Sequence, residues 1–112
     1  MSMTPMPNRV LPGMLEMLIL KCLTIEPMHG YGIAHYVQRS SRASLSIEEG
    51  SLYPALQRMR QKGWVKAAWG VTTNNQRARY YQITPAGRRE LGEQQAGFED
   101  MVTAVRRVMR EA

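Results

Sequence analysis

Residues 48–64 read EEGSLYPALQRMRQKGW, and the fold turns on how they are parsed. Leu52, Leu56 and Met59 recur at i, i+4 and i+7, the spacing of a helix that buries one stripe. Tyr53, Gln57 and Arg60 repeat that spacing one position on, and Pro54, Arg58 and Gln61 widen the outward face. The exposed side therefore offers an aromatic ring, amides and guanidiniums, with no carboxylate. Ser51 is a good N-cap. With Ser51 as cap, Pro54 is the third helical residue, where its missing N–H would have had no intrahelical partner. A start near Glu48 is the alternative. It sets Pro54 deeper and bends the first turn, while Glu48 and Glu49 suit the positive end of the helix dipole. Gly63 closes the helix as a C-terminal glycine.

Charge extends the pattern outward. The 112-residue chain carries a net +6, but residues 51–89 hold eight cations and no Asp or Glu. The remainder holds seven cations against nine carboxylates, so the positive excess is confined to about a third of the sequence. A localised field of this kind is a footprint for a polyanion. Length suits one domain with a modest core. No apolar run approaches the roughly 18–20 residues of a membrane span, and MLIL at 17–20 is too short for a signal peptide, which points to a cytoplasmic protein. The single Cys22 excludes an internal disulfide and a cysteine metal cluster, and it lies on an apolar stripe as a small buried hydrophobe.

Upstream, residues 1–11 contain two prolines and no periodicity, the signature of a flexible arm. A helix is predicted over about 12–25, with Pro12 in its first turn and Leu15, Leu18, Ile19, Cys22, Leu23 and Ile25 as its apolar set. EPMHGYG at 26–32 reverses the chain, with His29 suited to capping or local hydrogen bonding. A second helix follows over about 31–40, then a short extended piece, SLSI, at 44–47. Downstream, 64–70 and 79–84 alternate as two strands around an Asn74-Asn75 turn, and the hairpin carries Lys66, Arg77 and Arg79. Thr84-Pro85 opens a last helix that runs to about 110. Leu91, Phe98 and Val105 are spaced by seven, as are Met101 and Val108. With Val102 they form a coiled-coil-like seam interrupted by Gln94. Such a helix spans roughly 38 Å, more than so small a body covers, so a second copy of the chain is its simplest partner.

The order is helix, helix, short strand, basic helix, basic hairpin, long helix. It specifies a mainly α winged helix-turn-helix over 12–84, after an arm over 1–11 and before a dimerisation helix over 85–112. In that arrangement the basic helix enters a DNA major groove and the hairpin reaches phosphates or the minor groove.

MHGYGI at 28–33, EEGSLYPALQRMRQKGWV at 48–65 and RARYYQITPAGR at 77–88 together resemble the PadR family of bacterial transcriptional regulators. The resemblance covers about residues 12–112 and points to the compact subfamily with one long dimerising helix. It implies a homodimeric repressor that binds a palindromic operator and is released by an effector. Ser51, Tyr53 and Pro54 match the start of the recognition helix, and Arg77 and Arg79 match wing positions. Gln57, Arg58, Arg60 and Lys66 complete the expected DNA-binding set. Where relatives often carry Ser-Pro, this chain has Glu48-Glu49. The resemblance also implies a small aromatic effector, for which Trp69, Phe98 and Met101 are the candidate lining. No cofactor and no metal are expected: there is no HExxH, phosphate loop or nucleophile elbow, and His29 and His35 are not spaced as a helical metal pair. An enzyme is therefore not expected. The rival is a winged-helix adaptor for proteins, which an acid-free recognition face disfavours.

Overall fold

The computed structural model describes residues 8–9 and 12–111. Along the chain run β1 (Asn8–Arg9), α1 (Pro12–Leu23), β2 (Met28–His29), α2 (Gly30–Ser40), β3 (Leu45–Ser46), α3 (Glu49–Gln61), β4 (Val65–Val71), β5 (Arg77–Ile83) and α4 (Pro85–Glu111). This is the expected winged helix-turn-helix with an added helix. Three helices form the body, β4 and β5 the wing, and α4 the extension. Two short ladders were not evident from the sequence. β2 pairs antiparallel with β5, and β1 pairs parallel with β3, satisfying backbone groups in what read as turn and arm. Most of the expected arm over 1–11 lies outside the described residues.

The core is filled from every element of the body. Leu15, Ile19, Leu20, Cys22 and Leu23 of α1 meet Ile33 and Val37 of α2, then Leu52, Leu56 and Met59 of α3. Val65, Tyr81 and Ile83 close it from the base of the wing. Cys22 is buried as its position on the stripe predicted, and burial pushes its thiol up to about 11. That keeps it protonated and a poor nucleophile.

The start of α3 takes the earlier of the two alternatives. Glu48 is the N-cap, extended at φ −80° and ψ 139°, and its carbonyl accepts from the N–H groups of both Ser51 and Leu52 at 3.0 Å. Ser51 is thus the third helical residue rather than the cap, and Pro54 falls in the second turn. The cause is the approach of the chain: β3 ends at Ser46 and hands over to helix within three residues. The proline removes the i+4 donor from the Gly50 carbonyl. Gly50 is exposed and has open space around its α-carbon, so water replaces that donor at little cost.

Gly63 ends α3 as expected. It adopts φ 78°, and Trp64 N–H donates to the Met59 carbonyl at 3.0 Å, a Schellman closure that only glycine adopts without strain. The wing turn is longer than the Asn74-Asn75 pair suggested. Thr72 and Gln76 pair across a three-residue loop, with Asn75 at φ 61°, the left-handed position of a type I turn with a bulge. At the next junction Thr84 Oγ1 accepts from Gly87 N–H at 3.0 Å and donates to the Gly63 carbonyl at 2.6 Å. One hydroxyl therefore caps α4 and ties it to the end of α3.

Candidate nucleic-acid interface

The face of α3 opposite its buried stripe carries the expected groups. Ser51, Pro54, Gln57 and Arg58 are exposed, and Arg60 is half-buried. Tyr53 is 48% exposed. Its ring is set against the first residue of α2. A Cβ built on Gly30 would lie 2.8 Å from the Tyr53 hydroxyl and ring edge, so the ring stands where only a glycine leaves room.

The wing supplies the opposite wall. Residues paired across β4 and β5 share a face, and Val65↔Ile83, Ala67↔Tyr81, Trp69↔Arg79 and Val71↔Arg77 form one such series. Near the body that face is core. Farther out it passes the end of the body, and Trp69, Arg77 and Arg79 emerge on it. Between them and Tyr53 lies a groove of about 740 Å³, whose lining includes no carboxylate. The Arg77 and Arg79 guanidiniums stand 4.8 and 5.5 Å from the centre of the Trp69 ring.

A third group of residues in this groove was missed by the sequence reading: His29, Gly30, Tyr31 and His35, from the start of α2. His29 caps α2, accepting the Gly32 N–H at Nδ1 over 2.9 Å, which requires an unprotonated Nδ1. Tyr31 and His35 stack at 6.0 Å between centroids. The HGYG stretch held the signal, since two glycines beside two rings mark a close backbone approach as well as a turn.

Three groupings change. The sequence sets Lys66 on the hairpin with Arg77 and Arg79, but the pleat places it opposite Gln82, on the reverse face. Leu91 was given to the dimer seam, yet it packs against the chain's own core, because the first turns of α4 still lie on the body. Trp69 was grouped with Phe98 and Met101 as effector lining. Within one chain Trp69 lines the groove beside Tyr53, whereas Phe98 and Met101 are not among its lining residues and lie on the exposed outer part of α4.

A family model for PadR-like transcriptional regulators matches residues 19–93. The chain belongs to the PadR-like family. Solved structures of transcriptional regulators match this fold closely. A transcriptional regulator from Clostridium thermocellum is 26% identical with a TM-score of 0.78, over 85% of this chain and 92% of that one. A PadR-like transcriptional regulator from Bacillus cereus is also 26% identical, with a TM-score of 0.71 over 87% and 92%. An uncharacterised protein from Lysinibacillus sphaericus is 29% identical over 84 residues, covering 75% of this chain and 77% of its own length. As a PadR-like protein this chain is a DNA-binding transcriptional regulator. No helix among the described residues is long and apolar enough to cross a membrane.

Proposed function

We propose that the protein is a homodimeric repressor that reads a palindromic operator with the outward face of α3. The observation that carries this is the groove that brings Tyr53 of α3 together with Arg77 and Arg79 of the wing, with Gln57 and Arg58 exposed along the same helix, in a segment from 51 to 89 without a single carboxylate. Tyr53 and Gln57 are suited to base edges and the thymine methyl group, and the arginines to phosphates or guanine. The dimer is supported by α4, whose outer half exposes Met101, Val105 and Val108 on the face of the expected seam, with Val102 half-buried. Two copies joined there would present two reading helices, and a two-fold pair reads half-sites about one DNA turn, roughly 34 Å, or a multiple of that apart. Repression is the outcome of such binding that the family resemblance implies.

Selection from random duplexes followed by gel shift tests this. The expected product is a palindrome bound saturably, with affinity that falls steeply as salt rises. Tyr53→Ala should weaken operator binding by about tenfold or more while changing non-specific binding little, the cost of a lost base contact. Equal loss on both duplexes would remove Tyr53 from base readout. Failure to select any sequence would favour the adaptor alternative.

A further inference from the structure

Trp69 stands where a large apolar ring is least expected. It is 61% exposed on the wing, although indoles are on average well buried. Trp64, five residues earlier on the chain, is instead packed against the core. Trp69 sits directly opposite Arg79 in the ladder and diagonal to Arg77. Both guanidiniums lie within reach of its π face, at 4.8 Å for Arg77 and 5.5 Å for Arg79. Two like charges are thereby held side by side, and no carboxylate lines the groove they face. That arrangement is repulsive until an anion arrives. A strand of DNA offers what all three side chains accept: phosphates for the guanidiniums and a flat sugar or base surface for the indole.

We propose that Trp69 is a DNA-contacting and positioning residue of the wing. Its ring braces Arg77 and Arg79 as one unit and lies against the sugar–phosphate strand that occupies the groove between the wing and Tyr53. The occupant is duplex DNA because the groove is continuous with the reading face of α3 through Tyr53, one of its lining residues. The inference rests on the DNA-reading assignment of α3 and adds a residue that the family resemblance had placed with an effector.

The test is titration of the full-length protein with a labelled operator and a non-specific duplex at several salt concentrations. Trp69→Leu keeps an apolar side chain and removes the π face, and should weaken both duplexes by about three- to tenfold. Trp69→Phe should recover most of that loss. Arg79→Ala should cost less in the Trp69→Leu background than in the wild type, because the arginine has already lost its brace. Acrylamide should quench wild-type tryptophan emission less once DNA is bound, and the protected part should be missing in Trp69→Phe. Wild-type affinity in a folded Trp69→Leu protein, or unchanged quenching on saturation with DNA, would overturn the proposal while leaving the reading of α3 intact. Absence of saturable binding by the wild type would instead overturn the DNA-reading assignment on which it rests.

Discussion

Helices α3 and the outer half of α4 carry the same kind of pattern and meet opposite fates. Each has apolar residues at helical spacing with charged residues between them. In α3 the stripe is consumed within the chain: Leu52 is 1% exposed, and Leu56 and Met59 are fully buried. In α4 the stripe stays open, with Met101 at 65%, Val105 at 53% and Val108 at 66% exposed. Length makes the difference. Helix α3 has 13 residues and lies within the body, whereas α4 has 27, about 40 Å, and outruns it. Periodicity states that a face wants to be covered. It does not state by what. In a short helix the rest of the domain answers, and in a long one the chain's own body does not reach far enough to answer.

The largest expected effect comes from breaking the closed stripe. Leu56→Ala should lower unfolding free energy by about 3 kcal/mol, from lost burial and the cavity left behind, with a reduced urea midpoint at unchanged slope. A loss below about 1 kcal/mol would mean that the α3 stripe is no better packed than that of α4. The next effect concerns assembly. Val105→Glu sets a charge on the open stripe and should weaken self-association by about hundredfold, since an interface would bury it unpaired. Sedimentation equilibrium reads this directly, while the helical signal at low concentration should stay that of the wild type. An unchanged assembly state would show that this stripe is not covered by a second copy.

The smallest effect sharpens the contrast within the body, where short-range caps support the packing. His29→Ala removes the cap of α2 and should cost about 1 kcal/mol in thermal or urea unfolding. His29→Asn should restore most of it, because an amide oxygen can accept the Gly32 N–H in place of Nδ1. If both variants lose the same amount, the role of His29 is its ring contact with Tyr80, at 5.3 Å, rather than the cap.

The helices, the short strand β3 and the two wing strands were legible in the sequence because each is a local pattern. The stripe of α3, the glycine at 63, the Thr84-Pro85 start and the alternation of Val65, Tyr81 and Ile83 all depend on neighbours a few residues away. The proposed DNA-facing set drew its composition from the run without carboxylates, but its arrangement was not legible there. Lys66 falls on the opposite face of the hairpin from Arg77 and Arg79 because pairing register, fixed by the three-residue turn, decides which face each cation takes. Tyr31 and His35 were passed over because nothing in their spacing shows that the start of α2 faces the wing.

Sequence alone determined the order of the four helices and the two wing strands, the acid-free basic segment and the likeness to PadR-like regulators. These are properties of residue type and spacing, which survive without knowing where the chain goes. The tertiary structure alone decided where α3 begins, that Gly30 makes room for Tyr53, and that Trp69 shares a groove with Tyr53 of α3. The last two depend on two segments distant in sequence coming within a few ångströms. Packing constraints set that proximity, and local propensity carries no record of it. The proline of EEGSLYP illustrates both. Its presence near the helix start was plain from the sequence, but its place in the second turn is tolerated only because the carbonyl it orphans belongs to an exposed glycine.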